Sequence, residues 1–179
     1  QPLRTLQHGG YAALTAQWSR NGQRIVTVGD DWRARVWESN SGRLLTELSE
    51  GFVTHAAWSP DNEHIVTSSM DKTARVWYAQ TGHRLVSLEG HAGRVLHAAY
   101  RGDGRRIVTS STDQTARIWD AGSGRPLAQL AGHSARVVRA AFRPDGRRVV
   151  TISDDRNPRL WEAEDGRSQV RLTESDLAI

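Results

Sequence analysis

Apolar and polar positions alternate along this chain in short runs bounded by turn residues, and the run from 84 to 125 is the clearest. Arg84-Leu-Val-Ser-Leu88 alternates as a half-buried strand does. Glu89-Gly-His-Ala-Gly93 interrupts it as a turn. Arg94 to Tyr100 resumes it, with Ala98 and Ala99 small enough for close packing. Arg101-Gly-Asp-Gly104 is a turn by composition. Arg106-Ile-Val-Thr-Ser-Ser111 is a β-branched third strand, and Ala116-Arg-Ile-Trp-Asp120 follows the next turn as a fourth. Ala121-Gly-Ser-Gly124 closes the unit. No segment is long or periodic enough for a helix, so the pattern predicts repeated groups of four short antiparallel strands.

The unit recurs. Trp37, Trp77, Trp119 and Trp161 stand 40, 42 and 42 residues apart. Ile65-Val-Thr-Ser-Ser-Met-Asp-Lys-Thr-Ala-Arg-Val-Trp77 is nearly copied by Ile107-Val-Thr-Ser-Ser-Thr-Asp-Gln-Thr-Ala-Arg-Ile-Trp119, and more loosely by Ile25 to Trp37 and Val149 to Trp161. A period of ~40–45 residues with four strands per unit is that of propeller blades.

Specific residues narrow this further. Gly90-His91 and Gly132-His133 precede inner strands. Asp31, Asp71, Asp113 and Asp155 each stand six residues before a tryptophan. Trp119-Asp120 is a literal WD, where the other copies read Trp37-Glu38, Trp77-Tyr78 and Trp161-Glu162. Pro60-Asp61, Gly102-Asp103 and Pro144-Asp145 mark the turn after the first strand of a blade. Together these resemble the WD40 repeat family across essentially the whole chain. The resemblance implies an all-β chain: a β-propeller of WD40 type, with four four-stranded antiparallel blades plus a surplus leading strand.

In that family a histidine, a serine or threonine, the turn aspartate and the tryptophan form one hydrogen-bonded chain between strands. Carried over by position, His91, Thr109, Asp113 and Trp119 make one complete structural tetrad, and His133, Thr151, Asp155 and Trp161 another. The second copy has Thr67, Asp71 and Trp77, but its turn Ser49-Glu-Gly-Phe52 is two residues shorter and brings no histidine. The first has Thr27, Asp31 and Trp37, while His8-Gly9 reverses the usual order. Copies one and two are therefore expected to be looser. Asn157-Pro158 replaces Thr-Ala in the fourth copy, and a proline without a ladder donor belongs at an edge or an irregularity. The tetrads have the look of catalytic His-Ser-Asp sets. They recur blade by blade and include an indole donor, so the reading is structural, with no catalytic residues and no enzyme.

The expected divisions are a leading outer strand within 1–8 (Pro2 to Leu6), blades at 11–49, 52–90, 92–132 and 134–174, the last ending on Ser168 to Leu172, and a tail at 175–179. Propellers of this family usually have seven blades, sometimes eight. Three arrangements therefore compete: a segment of a longer propeller, two copies closing an eight-bladed ring, or a closed four-bladed ring. An open arc would leave two apolar faces uncovered.

Composition changes little except for partners. Charged residues are 25% and hydrophobic residues 37%, a globular mix. No run reaches the ~18 apolar residues of a membrane helix. With no cysteine, disulfides and thiolate metal sites are excluded, which fits a cytoplasmic setting. The chain begins at Gln1, so its natural start is expected to lie upstream. Net charge is +4 although pI is about 10.3, because every basic residue except Lys72 is arginine. His55 and His97 share one inner-strand row with Thr15 and Arg139. Two imidazoles without a carboxylate neighbour do not make a metal site, and no cofactor or metal is expected.

Non-repeated residues are the candidates for recognition. On the face carrying the aspartate turns these are Phe52, Met70, Arg94, Thr112, Arg136 and Asp154. The opposite face collects Arg101, Arg105, Arg106, Arg143, Arg147 and Arg148, with Arg43, Arg84, Arg125 and Arg167, interleaved by Asp61, Asp103, Asp145 and Asp165. The expected function is a non-enzymatic protein–protein interaction scaffold or sensor. The close similarity of the copies resembles bacterial arrays attached to signalling modules. Alternatives are a propeller unit that assembles with itself as a homo-oligomer, and anion or nucleic-acid binding through the arginine-rich face.

Overall fold

The computed structural model describes residues 5–171, which form four antiparallel sheets of four strands each. The first holds β1 (Ala13–Trp18), β2 (Arg24–Gly29), β3 (Ala34–Glu38) and β4 (Leu44–Leu48). The second holds β5 (Val53–Trp58), β6 (His64–Ser69), β7 (Ala74–Tyr78) and β8 (His83–Leu88). The third holds β9 (Val95–Tyr100), β10 (Arg106–Ser111), β11 (Thr115–Asp120) and β12 (Pro126–Ala131). The fourth holds β13 (Val137–Phe142), β14 (Arg148–Ser153), β15 (Arg159–Glu162) and β16 (Ser168–Arg171). Within each sheet the strands pair in sequence order. No helix is long and apolar enough to cross a membrane among these residues.

Turn chemistry explains the sharp hairpins. Asp61, Asp103 and Asp145 each accept the backbone N–H two residues on, at 2.8, 3.0 and 2.9 Å. The residue after each aspartate, Asn62, Gly104 or Gly146, is left-handed. At the other end of the blade Asp71, Asp113 and Asp155 do the same for Thr73, Thr115 and Asn157 at 3.1, 3.0 and 2.9 Å. The aspartates thus have a local job before any tertiary one.

The sheets stack face to face, and each junction has its own apolar core. Val26, Val28, Ala34, Val36 and Leu48 of the first sheet pack with Val53, Ala56, Trp58, Ile65 and Trp77 of the second. Val66, Ala74, Val76 and Leu88 repeat this against Val95, Ala98, Ile107 and Trp119. Val108, Ala116, Ile118 and Leu130 repeat it against Val137, Ala140, Val149 and Trp161. The innermost strands β1, β5, β9 and β13 lie side by side.

The first and fourth sheets do not close on each other, which overturns the closed four-bladed ring. Their outward faces are open to water. Trp18 is 60% exposed although Trp58, one repeat on, is 7% exposed. Ile152 is 50% exposed although Val28 and Ser110, its equivalents, are fully buried. The leading strand expected at Pro2 to Leu6 lies largely outside the described residues, and residues 5–8 carry no strand. In the fourth sheet β15 begins only after Pro158, whereas β11 already pairs Ala116 with Ser110. A proline at that position has no N–H to offer the ladder.

Candidate functional site

The tetrad positions meet in the third and fourth blades. Trp119 Nε1–H donates to Thr109 Oγ1 at 2.8 Å. Thr109 and His91 Nε2 lie 2.8 Å apart, and His91 Nδ1 lies 2.7 Å from Asp113 Oδ2. A carboxylate only accepts, so Nδ1 carries the proton and Thr109 O–H donates to Nε2. The fourth blade repeats this with Trp161, Thr151, His133 and Asp155 at 2.8, 2.7 and 2.7 Å. Burial pushes the Asp113 carboxyl up, yet hydrogen bonds from Thr115 and His91 together hold it at about 2. Burial pushes the Asp155 carboxyl up as well, and hydrogen bonds from Asn157, His133 and Ser134 bring it to about 2.

Blades one and two solve the same problem differently. Trp37 and Trp77 donate to Thr27 and Thr67 at 2.7 and 2.8 Å. No histidine reaches Asp31 or Asp71; the arginine of the third strand does. Arg35 pairs with Asp31 at 2.5 Å and Arg75 with Asp71 at 2.6 Å. His8 is buried over Trp37, ring centroids 5.4 Å apart, and its Nδ1 lies 3.2 Å from Arg35 Nη1. Its Nε2 is buried without a hydrogen-bond partner. Burial, then the Arg35 charge, lowers the His8 pKa. Sequence reasoning missed this exchange of histidine for arginine.

In blades three and four the third-strand arginine lies instead over the glycine before the histidine. A Cβ on Gly90 would stand 3.1 Å from Arg117 Nη1, and φ there is +141°. Gly90→Ala is expected to destabilise the chain by about 1–2 kcal/mol, mainly through backbone strain. A urea midpoint equal to wild type would show that the loop relaxes freely.

The recognition candidates fall into three backbone pairs along one rim. Met70 N–H donates to Phe52 C=O at 2.9 Å, Thr112 to Arg94 at 2.9 Å, and Asp154 to Arg136 at 3.2 Å. Each pair therefore closes the same end of its β-hairpin. Phe52 is 58% exposed. Arg94 is exposed as well. Arg136 and Asp154 pair at 2.5 Å.

On the opposite face most arginines are matched. Arg101 pairs with Asp103, Arg106 with Glu164 at 2.9 Å and with Ala163 C=O at 3.0 Å, Arg143 with Asp145 at 3.5 Å, Arg148 with Glu162 at 3.1 Å, and Arg167 with Asp165 at 3.2 Å. Arg84 instead extends to the other end of its blade and reaches Glu50, in the loop before Phe52, at 2.6 Å. Such matched pairs weaken the field a phosphate backbone would feel.

Thr15, His55, His97 and Arg139 line a groove of about 400 Å³ along the innermost strands. The His55 and His97 rings lie 4.2 Å apart. Among the described residues no cluster of three or more histidine, aspartate or glutamate side chains is arranged for a metal.

The family model described as "WD domain, G-beta repeat" matches residues 1–38, 42–78, 82–120 and 124–162. No curated protein matches the chain. Four matches in succession cover most of the 179 residues and coincide with the repeated strands, turns and tryptophans described above, and the chain belongs to the WD40 repeat family.

Proposed function

We propose that the chain is a non-enzymatic interaction propeller, a scaffold or sensor segment of a larger bacterial signalling or regulatory protein in the cytoplasm. Domains of this family generally bind protein partners. The partner site we assign is the rim of Phe52, Met70, Arg94, Thr112, Arg136 and Asp154. The observation that carries it is Phe52: an aromatic side chain, 58% exposed, which the corresponding loop matches only in the first copy, with Tyr11 at 55%. Exposed aromatics beside arginines are the residue types that dominate protein interfaces.

The test is paired capture from cells of the source organism. Phe52→Ser with Arg94→Glu is expected to lose a partner that wild type and Arg147→Glu, on the opposite face, both retain. The stability of Phe52→Ser should stay within about 0.5 kcal/mol of wild type, since the side chain is largely in water. Retention of the partner by the rim variant would move the site elsewhere.

A second reading is favoured by Trp18 and Ile152: the two end faces are assembly surfaces. Exposed apolar sheet faces of this kind are rare on finished surfaces.

A further inference from the structure

We propose that the two end faces are made for each other, and that two copies of this chain join head to tail, twice, into one closed dimer. The inference rests on the assembly reading above and names its partner.

The three internal junctions serve as a template. In the first, the Trp58 indole N–H donates to Gln17 C=O of the preceding sheet at 3.2 Å, and the ring is buried. Trp18 is the equivalent of Trp58, and Ala141 is the equivalent of Gln17. A second copy docked in the same manner places its Trp18 on the fourth sheet, with the indole N–H on Ala141 C=O.

Side-chain volumes at the free faces are complementary, as they are at the second and third internal junctions. Val28 and Val53 share the first junction's core. At the next two junctions the corresponding residues are Ser68 with Val95 and Ser110 with Val137. At the free faces they are Ile152 on the fourth sheet and Ala13 on the first. The larger residue on one face meets the smaller on the other. Ser110 donates to Val138 C=O at 3.1 Å across its junction. Ile152 has no hydroxyl and suits an apolar neighbour.

Area decides between one junction and two. A four-stranded face projects to ~330 Å², so one junction removes ~660 Å² and two remove ~1,300 Å². Only the second figure reaches the ~1,200 Å² of stable interfaces. A head-to-tail contact either closes or grows into a filament. Two four-sheet arcs close when each spans half a turn.

The test is solution mass by light scattering of the 179-residue chain from low micromolar upward, for wild type, Trp18→Glu and Ile152→Glu. Wild type is expected at twice 19.9 kDa. Each variant is expected to weaken the dimer at least about thirtyfold, as loss of a hot-spot residue does. Both positions are half or more exposed in the single chain, so circular dichroism of the dilute variants should match wild type. A wild-type monomer at all concentrations overturns the proposal, as does unlimited growth in mass. Dissociation by only one variant overturns it too, since that marks a face pairing with its own kind. Phe52→Ser should leave the mass unchanged, which separates this outcome from failure of the rim assignment.

Discussion

Thr109→Val is expected to destabilise the chain by about 2–5 kcal/mol, several times the cost of a typical surface change. Valine keeps the shape and removes one hydroxyl. That hydroxyl accepts from Trp119 Nε1 and donates to His91 Nε2, and all three groups are buried. Two polar groups lose their partner in a region water does not reach, at about 1–3 kcal/mol each. Thr67→Val is the control, because Thr67 serves Trp77 alone. Its cost should be about 1–3 kcal/mol, from one unpaired indole N–H. Urea midpoints of the two variants compare them directly. Equal costs would mean that the histidine contributes nothing. Hydrogen exchange should place the Thr109→Val loss in the third blade and its immediate neighbours, since stacked repeats couple through nearest junctions.

The contrast between Thr109 and Thr67 also marks how far sequence reasoning reaches. Strands and turns were legible because their causes are local: β-branched runs such as Ile107 to Ser111, and aspartates that bond the backbone two residues on. The aspartate-to-tryptophan spacing was legible because Asp113 sits in the turn that opens β11 and Trp119 lies on that strand, held in fixed register with β10, as Thr109 opposite Arg117 shows. The Arg35–Asp31 and Arg75–Asp71 pairs were not legible. An arginine stands at that position in all four copies, and its partner depends on whether a histidine of the preceding loop bonds the turn aspartate, which His8 of blade one does not, its Nδ1 facing Arg35. In blades three and four it does, and the arginine covers a glycine instead. The exposure of Trp18 was hidden for a related reason. Residues 18, 58, 100 and 142 are all aromatic, and only a neighbouring sheet distinguishes a core residue from a surface one.

Acid should weaken the fold well before its carboxylates titrate, and the innermost strands are the cause. Burial drives the His55 pKa from 6.5 to about 4, with the Arg139 charge acting the same way. Burial drives His97 from 6.5 to about 3, helped by His55 and Arg139. Both rings are therefore neutral in the folded chain near neutral pH. The unfolded chain binds protons first as pH falls, so the stabilisation is complete above pH 6.5 and is lost as pH falls from there towards 4. For His55 the loss amounts to about 3 kcal/mol across that window. His8 and His91 are lowered too, first by burial, and add to the same slope. Asp113 and Asp155, held at about 2, contribute only at lower pH, as it falls below the ordinary carboxylate value of 3.8. The His55→Thr, His97→Thr double variant isolates the pair, since Thr15 occupies the equivalent place in β1. Denaturant midpoints should fall steeply for wild type between neutral pH and about pH 4.5 and much less for the double variant. Parallel curves would mean that these two rings are solvated in the folded chain and that the groove they line is open to water.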